Sequence, residues 1–528
     1  MNGGEGETIL EIIDKRLIPD EGAKKACGEV FTPLNLVREM LFGLRKSALE
    51  KGETVIWGIN DEGNFFDDKE SDRVGGIPLD VWRDPNTKWL DPANGIGNFP
   101  VVAFYMLDYQ LGNHAEFKGD KNKEKRRKHI VKNMLYMIEL NKGNVNTSRE
   151  IFDKIVPGVE ANIICANTLK LTDADLKREF GVNRFDVIMG NPPFNSGGVK
   201  SSGIDKGSKY FGQPVYETIW PYFIDTINGK KEFPGALKLL NKNGYLCFIH
   251  PSPWLHKNDI AKLHDVLLSY PIDIIRIYTN FQANKLFKSS CAVRCAYYIL
   301  KKSEISNNSI NIIDIEHNYE IIKQSKEEIF SSYNKLLQNV FIKLKKIGDI
   351  SYLNSKGLLK PKKDKQYSTG QYLNICQHLK NGVNICKTKQ RFIDLEEPKI
   401  IFKGTSKLYH FDDLDGKYGI YGNWGFYIKD TKSILQRFSQ FFDTNIAKLI
   451  MIATKEDQDF IEPKYLPDIR EIPQSIKMND KDLCKYFNID YDTINKTKLF
   501  TNQQKILNTY NNCSQCGMRG KKTQKVKN

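Results

Sequence analysis

The stretch Thr87–Pro100 has the sequence TKWLDPANGIGNFP, and it decides the fold class. Its first half is an apolar run typical of a buried strand, and a helical pattern begins at Phe99. Between them, Gly95 and Gly97 allow a sharp turn in which the backbone can approach a ligand closely. Such a turn between a strand and a helix is where doubly wound folds bind nucleotide-like cofactors. No Gly-Lys-Ser/Thr follows, so the stretch is not a Walker loop.

Apolar runs alternate with helical patterns through the first 300 residues. This alternation predicts an α/β domain, Rossmann-like, with a mostly parallel sheet. Helices are predicted over Phe99–Leu111 and Tyr216–Thr226, and the last two strands, without a clear helix between them, are candidates for a hairpin. The predicted strands are Thr87–Asp91, Met134–Glu139, Ala161–Ala166, Phe185–Met189, Gly244–His250, Ile272–Tyr278 and Cys291–Leu300.

The sequence pattern changes after residue 302, where turns and Lys-rich loops replace the alternation of apolar runs and helical patterns. We predict an α/β domain over 1–302, a mixed α+β domain over 303–512 and a basic, disordered tail over 513–528. Residues 1–330 contain 44 Lys and Arg against 44 Asp and Glu, whereas residues 331–528 contain 35 against 20. A neutral half followed by a basic half indicates contact with a polyanion, and a well-solvated surface explains the charge equally well.

Several signals argue against other classes of protein. The N-terminus has no apolar signal core, and no apolar run reaches the length of about 18 residues that a membrane span needs, so we expect an intracellular, cytoplasmic protein. Only Cys513 and Cys516 have metal-like spacing; no second pair follows, and we predict no metal site. The basic run Lys118–Lys128 could contact phosphate, but a solvated helix face is favoured.

The segment Asn191-Pro-Pro-Phe194 is the most specific motif in the chain, and it follows the predicted strand FDVIM directly. Two prolines hold the backbone extended and remove two donors. Asn191 is thereby placed at the carboxyl edge of the sheet, where ligands bind in such folds. Phe194 is suited to stacking on a flat base. A structural turn would not need this combination, so we interpret it as catalytic.

Two further elements are weaker signals. Glu139 ends the second predicted strand, where an acidic residue can accept hydrogen bonds from ribose hydroxyls, although a surface or capping role is equally compatible. Gly28–Pro33 (GEVFTP) precedes an amphipathic stretch, with Thr32 predicted as the helix N-cap and Pro33 as the first helical residue.

Taken in order, GEVFTP, DPANGIGNFP and NPPF resemble motifs X, I and IV of the γ-class amino-methyltransferases. This class includes the modification enzymes of many restriction systems. The resemblance extends over residues 25–302 and includes the later segments GYLCFIHPSPWL and LFKSSCAVRCAYYILKK. It implies a methyltransferase domain that uses S-adenosylmethionine, followed by a DNA target-recognition domain.

The resemblance also implies roles for individual residues. Glu139 would hold the ribose, and Asn167 occupies the position at which family members often have Asp to bind the adenine of the cofactor. We expect altered contacts there, since an Asn side-chain oxygen can still accept from an adenine amino group. The methionine end of the cofactor would be bound by Phe31, Thr32, Pro33, Asp91, Asn94, Gly95 and Gly97, and the catalytic segment would be Asn191, Pro192, Pro193 and Phe194.

The implied substrate is the N6 amino group of a flipped-out adenine in double-stranded DNA. RNA or a protein glutamine, cytosine N4, and a catalytically idle DNA-binding subunit are the alternatives. A separate partner restriction endonuclease is compatible with the sequence, and the oligomeric state is left open. Only about 25 residues precede GEVFTP, so we expect no N-terminal nuclease domain.

Overall fold

The computed structural model divides the chain into two compact units, Met1–Ile329 and Phe330–Asn528. Each unit is described separately. The tail predicted over 513–528, including Cys513 and Cys516, lies outside the residues that the structure describes. The described residues are 31–60, 63–200, 214–226, 231–257, 262–287, 294–305, 308–330, 332–348, 351–352, 372–379, 382–388, 396–403, 410–420, 425–454 and 465–496.

A nine-stranded sheet organises the first unit, in the order β9-β8-β6-β7-β5-β4-β1-β2-β3. Strands β1 to β5 are parallel where they pair, whereas β7 is antiparallel to both β5 and β6. The strands are β1 Trp89–Asp91, β2 Leu135–Glu139, β3 Asn162–Cys165, β4 Phe185–Gly190, β5 Leu240–Pro251, β6 Ile272–Tyr278, β7 Cys295–Lys301, β8 Ser309–Ile313 and β9 Tyr319–Lys323.

All seven predicted strands are confirmed, and so is the Rossmann-like α/β class. The predicted hairpin is right in pairing but incomplete, because the helix Asn280–Phe287 lies between β6 and β7. The helix predicted over Tyr216–Thr226 is partly wrong. Residues Pro214–Thr218 form a strand that pairs with Asn195–Lys200, and the helix starts only at Trp220.

Helices cover both faces of the sheet because alternate residues of each buried strand point to opposite sides. Trp89 packs into the core on one face and its neighbour Leu90 into the core on the other. In order along the chain, the helices are α1 Leu34–Phe42, α2 Lys46–Leu49, α3 Leu79–Arg83, α4 Asn98–Leu111, α5 Lys123–His129, α6 Lys142–Ile155, α7 Asp173–Phe180, α8 Trp220–Ile224, α9 Ala236–Leu239, α10 Leu263–Leu267 and α11 Asn280–Phe287.

A buried ionic cluster fastens α1 to the sheet. Oε1 of Glu39 on α1 accepts hydrogen bonds from the Tyr297 hydroxyl at 2.9 Å and the Tyr278 hydroxyl at 3.3 Å. The same oxygen lies 2.5 Å from a guanidinium nitrogen of Arg276 on β6. Burying a carboxylate is costly unless it is paired in this way, so the cluster fixes the position of α1 and of Phe31–Pro33 before it.

The basic run 118–128 is largely neutralised by neighbouring carboxylates. Arg126 is buried and donates to Asp108 at 2.6 Å, and Arg127 donates to the other oxygen of the same carboxylate at 2.7 Å. Lys125 pairs with Glu116 at 3.2 Å. These contacts favour the structural interpretation of the run over phosphate contact.

The first unit extends past residue 302, where the sequence analysis put a domain boundary. Strand β8 pairs in parallel with β6, and β9 pairs with β8. The segment after residue 302 has the polar, Asn-rich composition typical of a linker. Nevertheless, Ile310, Ile312 and Ile313 are buried in the sheet.

The second unit is mixed in secondary structure. A four-stranded antiparallel sheet has the order Ser351–Tyr352, Gly425–Lys429, Lys399–Lys403, His410–Asp413, and three strands, Gly382–Thr388, Tyr372–Leu379 and Gly419–Ile420, form a second sheet. Its helices are Asn334–Lys343, Lys432–Phe442, Asn445–Ala453, Asp480–Phe487 and Tyr491–Lys496. Across the described residues of the chain, no helix is long and apolar enough to cross a membrane.

Candidate active site

A cavity of about 350 Å³ lies at the carboxyl ends of strands β1 to β4. The chain leaves β1 towards β2 and β3 on one side and returns to β4 on the other, so this edge is the switch point where doubly wound sheets bind ligands. The cavity is lined by Phe31, Thr32, Pro92, Ala93, Asn94, Gly95, Asn98, Phe99, Ile138, Glu139, Leu140, Asn141, Asn167, Thr168, Leu169, Lys170, Asn191, Pro192, Pro193, Phe194, Ile219, Phe223 and Lys231.

The glycine turn after β1 forms one wall of the cavity. Gly95 and Gly97 have positive φ angles of 57° and 100°, which L-residues rarely adopt. A Cβ atom at Gly95 would lie 3.1 Å from the ring of Phe31, and one at Gly97 would lie 2.8 Å from Oγ of Ser148. The turn is therefore held against α6 and against Phe31–Pro33, here called the FTP segment. Both glycines are required by this packing.

Glu139 at the end of β2 is joined to this turn. Its Oε2 accepts from the backbone N–H of Gly95 at 2.8 Å, and its Oε1 accepts from that of Asn141 at 2.7 Å. Each carboxylate oxygen has a second lone pair, so the half-buried side chain can still accept from a ligand in the cavity. The predicted ribose-binding position is thus in the cavity wall, in an orientation fixed by two backbone donors.

Asp91 lies beneath the turn and does not line the cavity. Its side chain is fully buried, and Oδ1 accepts from the N–H of Ala93 at 3.0 Å. Burial, together with the nearby charge of Glu139, raises the pKa of Asp91 to about 8. The carboxyl group is therefore poised to ionise when a cation approaches.

Four buried oxygens around this wall have no hydrogen-bond partner within the described part of the chain. They are Oγ1 of Thr32, Oδ2 of Asp91, Oδ1 of Asn94 and Oδ1 of Asn98. Buried polar atoms are nearly always satisfied in folded proteins, so these atoms indicate a bound ligand, and the two amide oxygens require that it donates to them. S-adenosylmethionine fits this set, because it carries an ammonium group and a sulfonium charge at one end and an apolar-faced adenine at the other.

The FTP segment differs from its prediction in one respect. Pro33, not Thr32, is the residue that precedes α1, and no side chain caps the helix. Thr32 is 3% exposed and lines the cavity. The predicted N-cap role of Thr32 is therefore wrong, because its side chain faces the cavity instead of the first turn of the helix. Pro33 is not in the cavity wall, and Gly28–Val30 fall outside the described residues.

The NPPF segment forms the opposite wall. Gly190 ends β4 with a φ angle of 152°, and Asn191 to Phe194 follow in the cavity lining. Pro192 is buried, and Phe194 is half-buried against the core. The Phe194 carbonyl accepts from the N–H of Ile219 at 3.1 Å, which brings the start of α8 and its Phe223 into the same cavity.

Asn167 is exposed and lines the cavity beside Thr168. Its Oδ1 accepts from the N–H of Leu169 at 3.1 Å and caps a short helical turn. The neighbouring Thr168 hydroxyl donates to the Pro92 carbonyl at 2.6 Å. The oxygen that was expected to read an adenine amino group already has one donor, although a second lone pair is left for a ligand.

The structure thus brings ten of the thirteen predicted site residues into the lining of one cavity, and Pro33, Asp91 and Gly97 are not part of that lining. Sequence reasoning missed Asn98, which follows the GxG turn directly, and the apolar wall of Ile219 and Phe223. Asn98 was detectable as a polar residue at the start of an otherwise apolar helix. Ile219 and Phe223 carried no signal, because a hydrogen bond to Phe194 and the pairing of the preceding strand with Asn195–Lys200 place them there.

The topology and this cavity define a Rossmann-like α/β domain with a ligand site at the switch point of its sheet. Residues 116–287 match the family model described as Eco57I restriction-modification methylase, which confirms the resemblance to restriction–modification methyltransferases. The matched segment contains Glu139 and the NPPF motif. A comparison with curated proteins finds no match.

Solved structures with a similar fold include three restriction–modification proteins. The type IIL enzyme MmeI in complex with DNA has a TM-score of 0.46 at 11% identity, over 88% of this chain and 70% of MmeI. The modification subunit of a candidate type I restriction enzyme from Vibrio vulnificus YJ016 has a TM-score of 0.32 at 17% identity, over 57% of this chain and 49% of that one. The EcoKI M protein has a TM-score of 0.30 at 14% identity, over 44% of this chain and 46% of that protein. The chain therefore spans about half the length of these two type I proteins.

Proposed function

We propose that the protein is a site-specific DNA methyltransferase that transfers a methyl group from S-adenosylmethionine to N6 of a flipped-out adenine. The observation that carries this proposal is the single cavity in which the GxG turn, Glu139 and the NPPF segment meet at the switch point of the sheet. A cavity of about 350 Å³ lies within the usual range of small-molecule sites, roughly 300–1,000 Å³.

Asn191 and Pro192 activate the amino group in this mechanism. The lone pair of adenine N6 is delocalised into the ring, so the amino group is a poor nucleophile. When the side-chain oxygen of Asn191 and the carbonyl of Pro192 accept its two hydrogens, the nitrogen becomes more tetrahedral and its lone pair is available. The catalysis is by position and electrostatics. Phe194 stacks on the base and fixes its plane.

The opposite wall binds the methyl donor. S-adenosylmethionine, when bound, supplies an electrophilic sulfonium methyl group. Glu139 would hold the ribose, the buried acceptors near the GxG turn would hold the amino-acid end, and Asn167 with the apolar side chains of Ile219 and Phe223 would hold the adenine. No residue of the chain forms a covalent bond to the substrate in this scheme.

Double-stranded DNA is the substrate we favour. A base stacked in a duplex cannot enter a cavity at the end of a sheet, so the target must be flipped out, at a cost of a few kcal/mol. The excess of 35 Lys and Arg over 20 Asp and Glu in residues 331–528 supports phosphate contacts by the second unit, which we propose as the target-recognition domain. We place the reaction in the cytoplasm, with a partner restriction endonuclease as a compatible component.

The test is methyl transfer from tritiated S-adenosylmethionine to unmodified DNA, followed by nucleoside digestion and chromatography. We expect label in N6-methyladenine with the wild type and none with Asn191→Ala. Asn86→Ala, at an exposed site outside the cavity lining, serves as the matched control and should keep full activity. Label in N4-methylcytosine would correct the base; label only in RNA or protein would overturn the DNA substrate. No label despite cofactor binding would favour an idle subunit.

A further inference from the structure

The structure assigns a role to Asn98: its side-chain oxygen binds the α-ammonium group of the cofactor while its side-chain nitrogen holds the FTP segment in place. This inference rests on the proposed cofactor and goes beyond it, because it identifies which group of the ligand is recognised and by which residue. Asn98 is the first residue of α4, is 4% exposed and lines the cavity.

The orientation of the Asn98 amide is fixed by its partner. Nδ2 donates to the backbone carbonyl of Thr32 at 2.6 Å. A carbonyl oxygen can only accept, so the nitrogen must face Thr32 and the amide cannot be flipped. The oxygen is thereby held away from Thr32.

That oxygen has no partner among the described residues, although it is buried. A buried acceptor without a donor is unfavourable, and the free energy is recovered when a ligand donates to it. The side-chain nitrogen of Asn98 therefore joins α4 to the FTP segment, and its side-chain oxygen is left as an acceptor for a ligand.

The surrounding atoms indicate the kind of donor. Asn94 lines the same cavity, and its Oδ1 also has no partner within the described residues. Both atoms are amide oxygens, which can only accept. An ammonium group, with three N–H donors and a positive charge, matches such a set better than a hydroxyl or an amide.

Two other parts of the cofactor are less suitable for this wall. The ribose hydroxyls are matched by Glu139 on the next strand, and a carboxylate would be repelled by oxygen acceptors. The positive end of the α4 dipole disfavours a cation, but by less than a charge-assisted hydrogen bond contributes. The amino group of the methionine portion is therefore the group that we place against Asn98.

Calorimetric binding of two ligands to the full-length protein tests this inference. S-adenosylhomocysteine carries the ammonium group, and its deamino analogue keeps the carboxylate and lacks it. We expect Asn98→Ala to weaken the first ligand about tenfold or more, a loss of about one charge-assisted hydrogen bond, and to leave the second within about twofold. Asn98→Leu, closer in volume, should give the same pattern if the Ala variant folds poorly.

Gln110→Leu is the matched control, since Gln110 is a buried amide in the last turn of the same helix and accepts from Arg83 at 3.0 Å. It should bind both ligands as the wild type does. An equal loss for both ligands in the Asn98 variants, or no loss, overturns the inference while the cofactor assignment stands. A wild type that binds neither ligand overturns the cofactor assignment and this inference with it.

Discussion

A Cβ atom at Gly190 would lie 2.8 Å from Oδ1 of Asp91. The last residue of β4 and the last residue of β1 thus lie close together, although strands β2 and β3 and helices α4 to α7 separate them in the sequence. This contact sets how close the NPPF segment comes to the GxG turn. The two walls of the cavity can therefore lie this close together only because Gly190 has no side chain.

Gly190→Ala is expected to destabilise the first unit and to abolish methyl transfer. The new methyl group must displace Asp91, and φ at this position is 152°, so we expect a loss of about 2–4 kcal/mol in the free energy of unfolding. Denaturant unfolding and the transfer assay measure the two effects. Gly181→Ala is the control, since Gly181 has a φ of 73° with nothing near its Cβ position. It should cost only about 1–2 kcal/mol and keep activity; equal losses in both variants would contradict the clash.

Cofactor affinity is expected to rise with pH through the titration of Asp91, whose pKa burial and Glu139 raise to about 8. A cationic ligand favours the ionised carboxylate, so binding should strengthen between about pH 6 and 9 and release protons near neutrality. Calorimetry in two buffers of different ionisation enthalpy measures both. Asp91→Asn should flatten the profile, and a wild-type affinity that does not change with pH would contradict the prediction.

Ionisation of Asp91 has the opposite effect on folding stability: it strengthens cofactor binding but destabilises the unliganded protein. The ordinary pKa of an Asp is 3.8, and it is raised in the folded protein, so the folded state gains protons relative to the unfolded state between about pH 4 and 8. The unliganded wild type should therefore lose stability relative to Asp91→Asn as the pH rises through this window. Thermal unfolding at pH 5 and pH 8.5 checks the difference, and parallel curves for the two proteins would refute it.

The second unit contains a fully buried ion pair. Nζ of Lys399 lies 2.7 Å from Oδ2 of Asp413, with side-chain exposures of 0% and 1%. Asp413→Ala leaves the buried ammonium group without its carboxylate partner, so we expect a loss of about 3–5 kcal/mol in the stability of this unit. The double variant Lys399→Met/Asp413→Leu should recover most of it, which calorimetric unfolding can test. Similar losses for the single and double variants would assign the effect to the lost hydrogen bonds from the backbone N–H groups of Lys417 and Tyr418, not to the unpaired charge.

His410 makes the second unit sensitive to alkaline pH. Burial lowers the pKa of His410, but the hydrogen bond to Asp412 at 2.8 Å and the negative charge of Asp443, 3.6 Å away, outweigh this and raise it to about 9. The stabilisation is complete below the ordinary pKa of 6.5 and is lost as the pH rises through 9. His410→Gln should remove this dependence, measured as unfolding of the second unit between pH 6 and 10. A His410→Gln protein with the wild-type profile would assign the alkaline loss to other groups.

The core of the fold could be predicted because it depends on local patterns. Each strand of the central sheet is an apolar run that ends at a turn residue, and motifs at strand ends meet at one edge of a parallel sheet. Glu139, Asn191 and the GxG turn follow from that rule alone. Their meeting in one cavity could be expected before any coordinates were known.

The rest depends on contacts between segments distant in sequence. The position of β7 between β5 and β6, and the addition of β8 and β9 to the sheet, leave no local pattern. Thr is a residue type that often caps helices, but the Thr32 side chain faces the cavity. The packing of Phe31 against Gly95 sets this direction, and it cannot be read from the local sequence. Ile219 and Phe223 enter the site because the Ile219 N–H donates to the Phe194 carbonyl and the strand before Ile219 pairs with Asn195–Lys200.

The central position of β7 has a consequence for synthesis. Strands β5 and β6 are complete when the ribosome has reached residue 278, but the strand that joins them is residues 295–301. Until then the nascent chain holds a five-stranded sheet and the separate strand β6, both with apolar edges whose backbone groups are unpaired, and such edges are prone to aggregation. A fragment that ended at residue 287 would be arrested in this state, so expression of the first unit alone requires the chain up to at least Lys323.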